Sequence, residues 1–217
     1  MRQVQEVLSD LKRYEDQIDL FEQGKNGLMG VMRRHFLCLA GASVLCPMVK
    51  GPATAQSMRI DGFEMQPEAG WRFFTDNVMG GISTGQVVFV QDSGHTYARM
   101  TGRVSTANRG GFIQMRLDLD SAPLTGTTGV RVIVRGNDQR YFVHLRTTGA
   151  VLPWQYYQVG FDVTRRWAEA RLPFAAFRPS GRLLRATLRP ESVTSVAVVA
   201  YGRDHEAEID IRAIGFF

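Results

Sequence analysis

Cysteine is almost missing from this 217-residue chain: Cys38 and Cys46 share one apolar run near the N-terminus, and none follows. That excludes a disulfide framework, a thiolate zinc site and a cysteine nucleophile from everything beyond Cys46. Lysine also stops early, at Lys50. From Gln56 onward the charge is 19 arginines against 15 acidic residues. Those arginines are spread over many segments, whereas nucleic-acid binding gathers them into a stripe, so nucleic acid is set aside as a partner. Also missing are a Gly-x-Ser-x-Gly elbow, a His-Glu-x-x-His pair, a phosphate-binding P-loop and a dinucleotide fingerprint. No carboxylate pair stands out for acid–base work. The expectation is a protein that is not an enzyme and carries no cofactor. Past Ala55 no apolar run approaches the roughly 20 residues of a bilayer span, so no transmembrane segment is expected in the main domain.

What is present falls into three parts. Residues 1–31 read as a polar helical extension, with Val4, Val7, Leu8, Leu11, Ile18 and Phe21 near helical spacing until Gly24, Gly27 and Gly30 interrupt it. Residues 32–55 read as a signal peptide: Arg33-Arg34, an apolar run, then Ala53-Thr-Ala55 as a small-x-small cleavage pattern before Gln56. Arg33-Arg34-His-Phe-Leu37 looks like a twin-arginine export signal. A buried core helix, the competing reading, does not account for that order. Because a signal belongs at a terminus, Met32 is expected to be the true start and the main domain to be exported to the periplasm. The alternative is a cytoplasmic, membrane-associated protein.

Residues 58–217 are the main domain, and its patterning is β throughout. Candidate strands are Val87–Val90, Tyr97–Val104, Gly111–Leu119, Gly129–Val134, Tyr141–Arg146, Trp154–Val163, Trp167–Leu172, Val193–Val199 and Ile209–Phe217. Turn signals such as Asp92-Ser-Gly94, Asn108-Arg-Gly-Gly111 and Thr148-Gly149 separate them. Many short strands at this spacing predict an all-β sandwich or barrel, and a two-sheet antiparallel jelly roll fits the count. Leu183–Leu188 is the one segment read as potentially helical. Ahead of the first long strand, the aromatics Trp71, Phe73 and Phe74 read as a buried plug. Asp76-Asn77 then favours a turn, and Gly80-Gly81 allows positive φ or close backbone approach.

Alternation assigns faces to these strands. Val130, Val132 and Val134 oppose Arg131 and Arg135, and Tyr141, Val143 and Leu145 oppose Phe142, His144 and Arg146. Gly136-Asn-Asp-Gln139 between them reads as a hairpin. Trp154, Tyr156 and Gln158 share a side in the following segment. If these strands are neighbours, Arg131, Arg135, His144, Arg146, Trp154 and Tyr156 form one binding face of the composition that recognition surfaces enrich. The competing reading is a solvated sheet with guanidinium groups stacked on rings. Near the C-terminus, Ala207, Ile209 and Ile211 should point inward and Glu206, Glu208, Asp210 and Arg212 outward. No metal site is expected there; Asp204 and Glu206 are the residues that would supply one.

Several motifs occur in one order: Trp71…Thr75-Asp-Asn-Val-Met-Gly-Gly-Ile-Ser83, Asn108-Arg-Gly-Gly-Phe-Ile-Gln114, Gly129-Val…Val134-Arg-Gly-Asn-Asp138, Tyr141…Leu145-Arg-Thr147, Trp154-Gln-Tyr-Tyr157 and Trp167…Leu172-Pro-Phe174. The series resembles the CIA30 family, named for the complex I intermediate-associated protein, over nearly all of Ile60 to Phe217. The resemblance implies a galactose-binding-like jelly roll and a non-catalytic assembly or chaperone role toward respiratory NADH:ubiquinone oxidoreductase, with a protein partner and no established catalytic residues. Trp71, Asp76, Asn77, Gly80, Gly81, Ser83, Gly110, Gly111, Asn137 and Asp138 are expected to be structural. A carbohydrate-binding module of the galactose-binding-like kind, with Trp154 or Tyr156 stacked on a sugar, is the alternative.

Overall fold

The structure, a computed structural model, describes residues 58–61 (backbone), 63, 70–119 and 124–217. The polar helical extension expected over residues 1–31 and the signal-like segment 32–55 lie outside the described residues.

Twelve strands form two antiparallel sheets among the described residues. They are β1 (Met58–Asp61), β2 (Trp71–Thr75), β3 (Thr84–Asp92), β4 (His95–Val104), β5 (Phe112–Asp118) and β6 (Gly129–Gly136), followed by β7 (Arg140–Thr147), β8 (Tyr157–Asp162), β9 (Ala168–Pro173), β10 (Arg178–Pro179), β11 (Val193–Tyr201) and β12 (His205–Phe216). The first sheet runs β3-β4-β12-β6-β9, with β1 paired to the end of β12; the second runs β10-β8-β7-β11-β5-β2. Period-two alternation makes the core. Ala98 and Met100, Val130 to Val134 at alternate positions, Ile209 and Ile211 face Ile113 and Met115, Tyr141 to Leu145 at alternate positions, and Val196 and Val198, all buried. Each such aliphatic chain contributes roughly 1.5–3 kcal/mol of burial, so this interlayer holds the sheets together.

All nine expected strands are present, with shifted ends. Trp154 and Tyr156 precede β8 rather than opening it. The aromatic plug is itself a strand: β2 lies at the edge of the second sheet, pairing Phe73 with Met115 on β5. Trp71 and Phe73 pack on the core from that edge, half-buried. Leu183–Leu188 is not helical but a run of turns and bends. A single turn of helix has little intrinsic stability. Here Leu184 and Leu188 are buried, and Tyr157 Oη donates to Arg185 O at 2.9 Å, which fixes the looped path instead.

The hairpin expected at Gly136–Gln139 is overturned. β6 pairs with β12 and β9, whereas β7 pairs with β11 and β8, so the connection crosses from one sheet to the other. Asn137 anchors that crossing: its N–H donates to Glu208 O at 3.1 Å, and its Nδ2 to Glu206 O at 2.8 Å. Tyr141 Oη donates to Asn137 Oδ1 at 2.7 Å and accepts from Glu208 N at 2.8 Å. Burial raises the Tyr141 phenol to about 12, so it remains a donor at any working pH. Asp138, at φ 58°, accepts from Arg165 Nε at 2.8 Å.

The first two motifs of the series meet at Asp76, which is fully buried. Asp76-Asn-Val-Met79 forms a short 3-10 turn capped by Thr75 Oγ1, which accepts from Asn77 N at 3.2 Å, and Gly80 closes it at φ 86°. The Asp76 carboxylate accepts from Ser83 N at 2.9 Å, Ser83 Oγ at 2.5 Å, Phe112 N at 3.3 Å and Gly111 N. A Cβ at Gly81 or Gly110 would fall far inside van der Waals contact with that carboxylate. Both glycines therefore let the backbone close around Asp76. A buried anion costs several kcal/mol unless its lone pairs are met, and here peptide N–H groups from two loops meet them.

Candidate functional site

The crossover between β6 and β7 splits the expected binding face in two. Arg131 and Arg135 point outward from the first sheet, while His144, Arg146 and Tyr156 belong to the outer face of the second.

On the first sheet the charges serve one another. Asp210, buried despite its outward position on β12, accepts from Arg99 Nε at 2.7 Å and Arg135 Nε at 2.8 Å. Each arginine also reaches Tyr97 Oη, at 3.2 and 3.3 Å. The Trp167 ring lies between the guanidinium groups of Arg135 and Arg212, at 4.6 and 4.3 Å from its centroid. The hydrogen bonds to Asp210 hold both the Arg99 and Arg135 guanidinium groups above their ordinary range. Arg131 lies 3.9 Å from Glu169. A cavity of about 300 Å³ beside Arg99, Arg135 and Asp210 is therefore lined, Glu208 apart, by side chains that already have partners.

The second sheet has a different outer face. Register places Arg178, Gln158, His144, Ala197, Arg116 and Arg72 in one line across its six strands. Beside that line lie Gly160, Phe142, Val199, Gln114 and Phe74. The outward residues Ser195, Ala197 and Val199 of the central strand β11 are small and buried, so Tyr201 at its end and flanking side chains make the surface. Tyr156 folds back from the loop before β8 and stacks on His144, with ring centroids 4.0 Å apart and planes 10° apart. Tyr201 meets Phe142 and His144 edge-on at 5.8 and 5.6 Å. Arg116 lies 4.9 Å over Phe74 and 3.2 Å from Asp118.

Polar atoms inside this cluster are left short of partners. His144 is 7% exposed, and burial pushes its imidazole down to about 3, with Gln158 pulling slightly upward. The two side chains nevertheless miss hydrogen-bond geometry: His144 Nε2 and Gln158 Oε1 are both buried without a partner. His144 is thus a neutral ring under the Tyr156 face. Tyr156 is itself held above the ordinary phenol range, by burial first and then by Tyr201. Arg146 has a structural task, donating from Nη2 to Ala150 O at 3.1 Å and Leu152 O at 3.3 Å, which braces the loop that carries Trp154. Trp154 is 45% exposed at the rim.

The acidic segment near the C-terminus is also structural. Asp204 Oδ1 accepts from Thr106 N and Oγ1, both at 2.7 Å, and these bonds hold its carboxyl below the usual range. Glu206 faces Arg103 at 3.8 Å. Among the described residues no three His, Cys, Asp or Glu side chains converge as metal ligands would. Tyr201, Phe142, Arg116 and Phe74 were not in the expected face. Alternation marks Phe142 and Arg116 as outward, but only strand order brings Phe142 beside Tyr201 and sets Arg116 in line with His144, and strand order is not written in local pattern.

A sequence profile described as Complex I intermediate-associated protein 30 (CIA30) matches residues 62–211. A comparison with curated protein sequences gives no match. Among solved structures the chain is similar to the Family 11 Carbohydrate-Binding Module of cellulosomal cellulase Lic26A-Cel5E of Clostridium thermocellum. The TM-score is 0.61 at 13% identity, covering 74% of this chain and 94% of that one. A Family 11 module from the same organism, in complex with a β-1,3-1,4-mixed-linked tetrasaccharide, gives 0.60 at 13% identity, covering 74% and 95%. At such identity the likeness establishes a shared two-sheet β fold.

Proposed function

Because the chain belongs to the complex I intermediate-associated protein 30 (CIA30) family, we propose that it is a non-catalytic binding protein of the assembly-factor type, built as a galactose-binding-like jelly roll. Its partner is a protein of the respiratory NADH:ubiquinone oxidoreductase, held on the outer face of the second sheet. The contrast between the two sheet faces carries this reading. Arginine and tryptophan on the first sheet are consumed by Asp210 and by each other. On the second sheet, Phe142, His144, Tyr156 and Tyr201 form one cluster of rings instead. Rings and arginines of this kind make interface hot spots when a partner excludes water from them.

A carbohydrate in the same place is the second reading, favoured by the ring of Tyr156 and the half-exposed Trp154, since aromatic faces stack on sugars. The signal-like segment from Met32 makes export the proposed route, with membrane association on the cytoplasmic side as the alternative. Mass spectrometry of the native N-terminus separates them, and an intact Met1 would contradict export.

The test of function is affinity capture with the tagged full chain and its Tyr156→Ala/Tyr201→Ala and Arg131→Ala variants. Loss of respiratory subunits from the tyrosine variant alone is the expected result. Capture unaffected by either variant, alongside glycan binding that the tyrosines control, would replace the protein reading with the carbohydrate one.

A further inference from the structure

We propose that the end of the second sheet formed by residues 148–153 and 180–192 is a docking surface for an anionic lipid bilayer, separate from the ring cluster and independent of what that cluster binds. The two loops are one unit. Ser180 Oγ donates to Trp154 O at 2.8 Å, and Tyr156 N donates to Ser180 Oγ at 3.1 Å. The looped path through Arg185 is held by Tyr157 Oη, and Ser192 closes on Arg189 O through both its N–H and its hydroxyl.

From this braced end two apolar tips project. Leu183 is 82% exposed and Val151 83%, the highest values of any large apolar side chain among the described residues. Arg182 precedes Leu183 in the chain, and Arg185 and Arg189 border the same cavity as Leu183. None of the three makes an ion pair or a side-chain hydrogen bond among the described residues, in contrast to Arg99, Arg135, Arg140 and Arg165. Glu191 is the single acid between residues 178 and 192. Between the loops lies a cavity of about 330 Å³ bordered by Thr148, Gly149, Leu183, Arg185, Arg189 and Ser192. Guanidinium groups and hydroxyls around an open cavity suit a phosphate, which accepts several charge-assisted hydrogen bonds at once.

The arrangement distinguishes a bilayer from an acidic protein. A protein interface gains most of its affinity from apolar anchors enclosed by a packed rim. Leu183 is a solitary tip with cations beside it, and Val151 is a second exposed tip on the adjoining loop, which is the composition of a segment lying in a headgroup layer. There the tips enter the acyl boundary while the arginines meet lipid phosphates, an attraction that anionic lipids strengthen and zwitterionic lipids do not.

The experiment uses the full chain with Cys38→Ser and Cys46→Ser and an environment-sensitive fluorophore at Leu183→Cys. A second preparation carries the probe at Gln86→Cys, on the exposed edge strand β3. Local probes separate loop insertion from any binding by residues 1–57. With vesicles of one part phosphatidylglycerol to two parts phosphatidylcholine, emission at position 183 should shift to the blue while position 86 does not change. Phosphatidylcholine alone should leave both unchanged, and Arg185→Ala/Arg189→Ala should raise the lipid concentration needed for the shift about tenfold or more. The proposal is overturned if position 183 stays in water, if both probes shift together, if phosphatidylcholine serves as well, or if the arginine pair makes no difference.

Discussion

Single residues do much of the work that the motif series encodes. Asp76 joins two loops through peptide N–H groups and a serine, so Asp76→Asn places an amide donor among donors. A loss of about 3 kcal/mol is expected, read as a lower urea midpoint, and an unchanged midpoint would remove Asp76 from the account. His144 gives a pH dependence whose sign follows from its neutral state in the fold. The unfolded chain takes up a proton below about 6.5, whereas the folded ring waits until about 3. Stability from this group is complete above the upper value and falls as pH drops through that window. Between about pH 7 and pH 5 the loss is about 2 kcal/mol, and His144→Phe should flatten it, leaving the smaller contribution of His205, which burial also lowers. Chemical unfolding at the two pH values checks this. At this scale the sequence was informative where backbone demands a residue type. Gly80 adopts positive φ and Gly81 makes the close approach expected of the pair. That Asp76 is what Gly81 approaches was hidden, because two of the residues that hold its carboxylate, Gly111 and Phe112, lie about 35 residues away on another loop.

Elements were legible as elements but not as neighbours. Alternation in β6, β7 and β12 identified their inward sides because a half-buried strand repeats every two residues. It could not reveal that β6 and β7 part company, since a sheet crossing and a hairpin share the same polar, glycine-containing link. The expected single face thereby became two, and Asp210, read as an outward solvated carboxylate, proved to be buried between arginines from both neighbouring strands. Asp210 ties β4 and β6 to β12, so Asp210→Ala leaves Arg99 and Arg135 facing each other without their anion. Both arginines keep some access to water, which screens part of the repulsion, and the expected cost is about 2 kcal/mol. Thermal unfolding should show the loss, with Arg131→Ala on the same sheet close to neutral. Equal melting of Asp210→Ala and the parent would mean that the arginine–tryptophan contacts suffice alone. The short β2 and β10 escaped the pattern because edge strands of five and two residues offer too few alternations to recognise.

Across the whole molecule the two faces are unequal: a first sheet whose central arginines, Arg99 and Arg135, are matched by Asp210, and a second whose outer face is a cluster of rings. Global stability cannot separate these roles, because both faces sit on the same core. Position-specific capture can. A photo-crosslinking residue is placed at Gln114, outward on the second sheet, or at Ile133, outward on the first, in the full chain expressed in its own cells. Light should join the Gln114 probe to one discrete subunit of the respiratory oxidoreductase or its intermediate and leave the Ile133 probe without that adduct. An adduct formed from Ile133 instead, or equally from both positions, would contradict the assignment of binding to the second sheet.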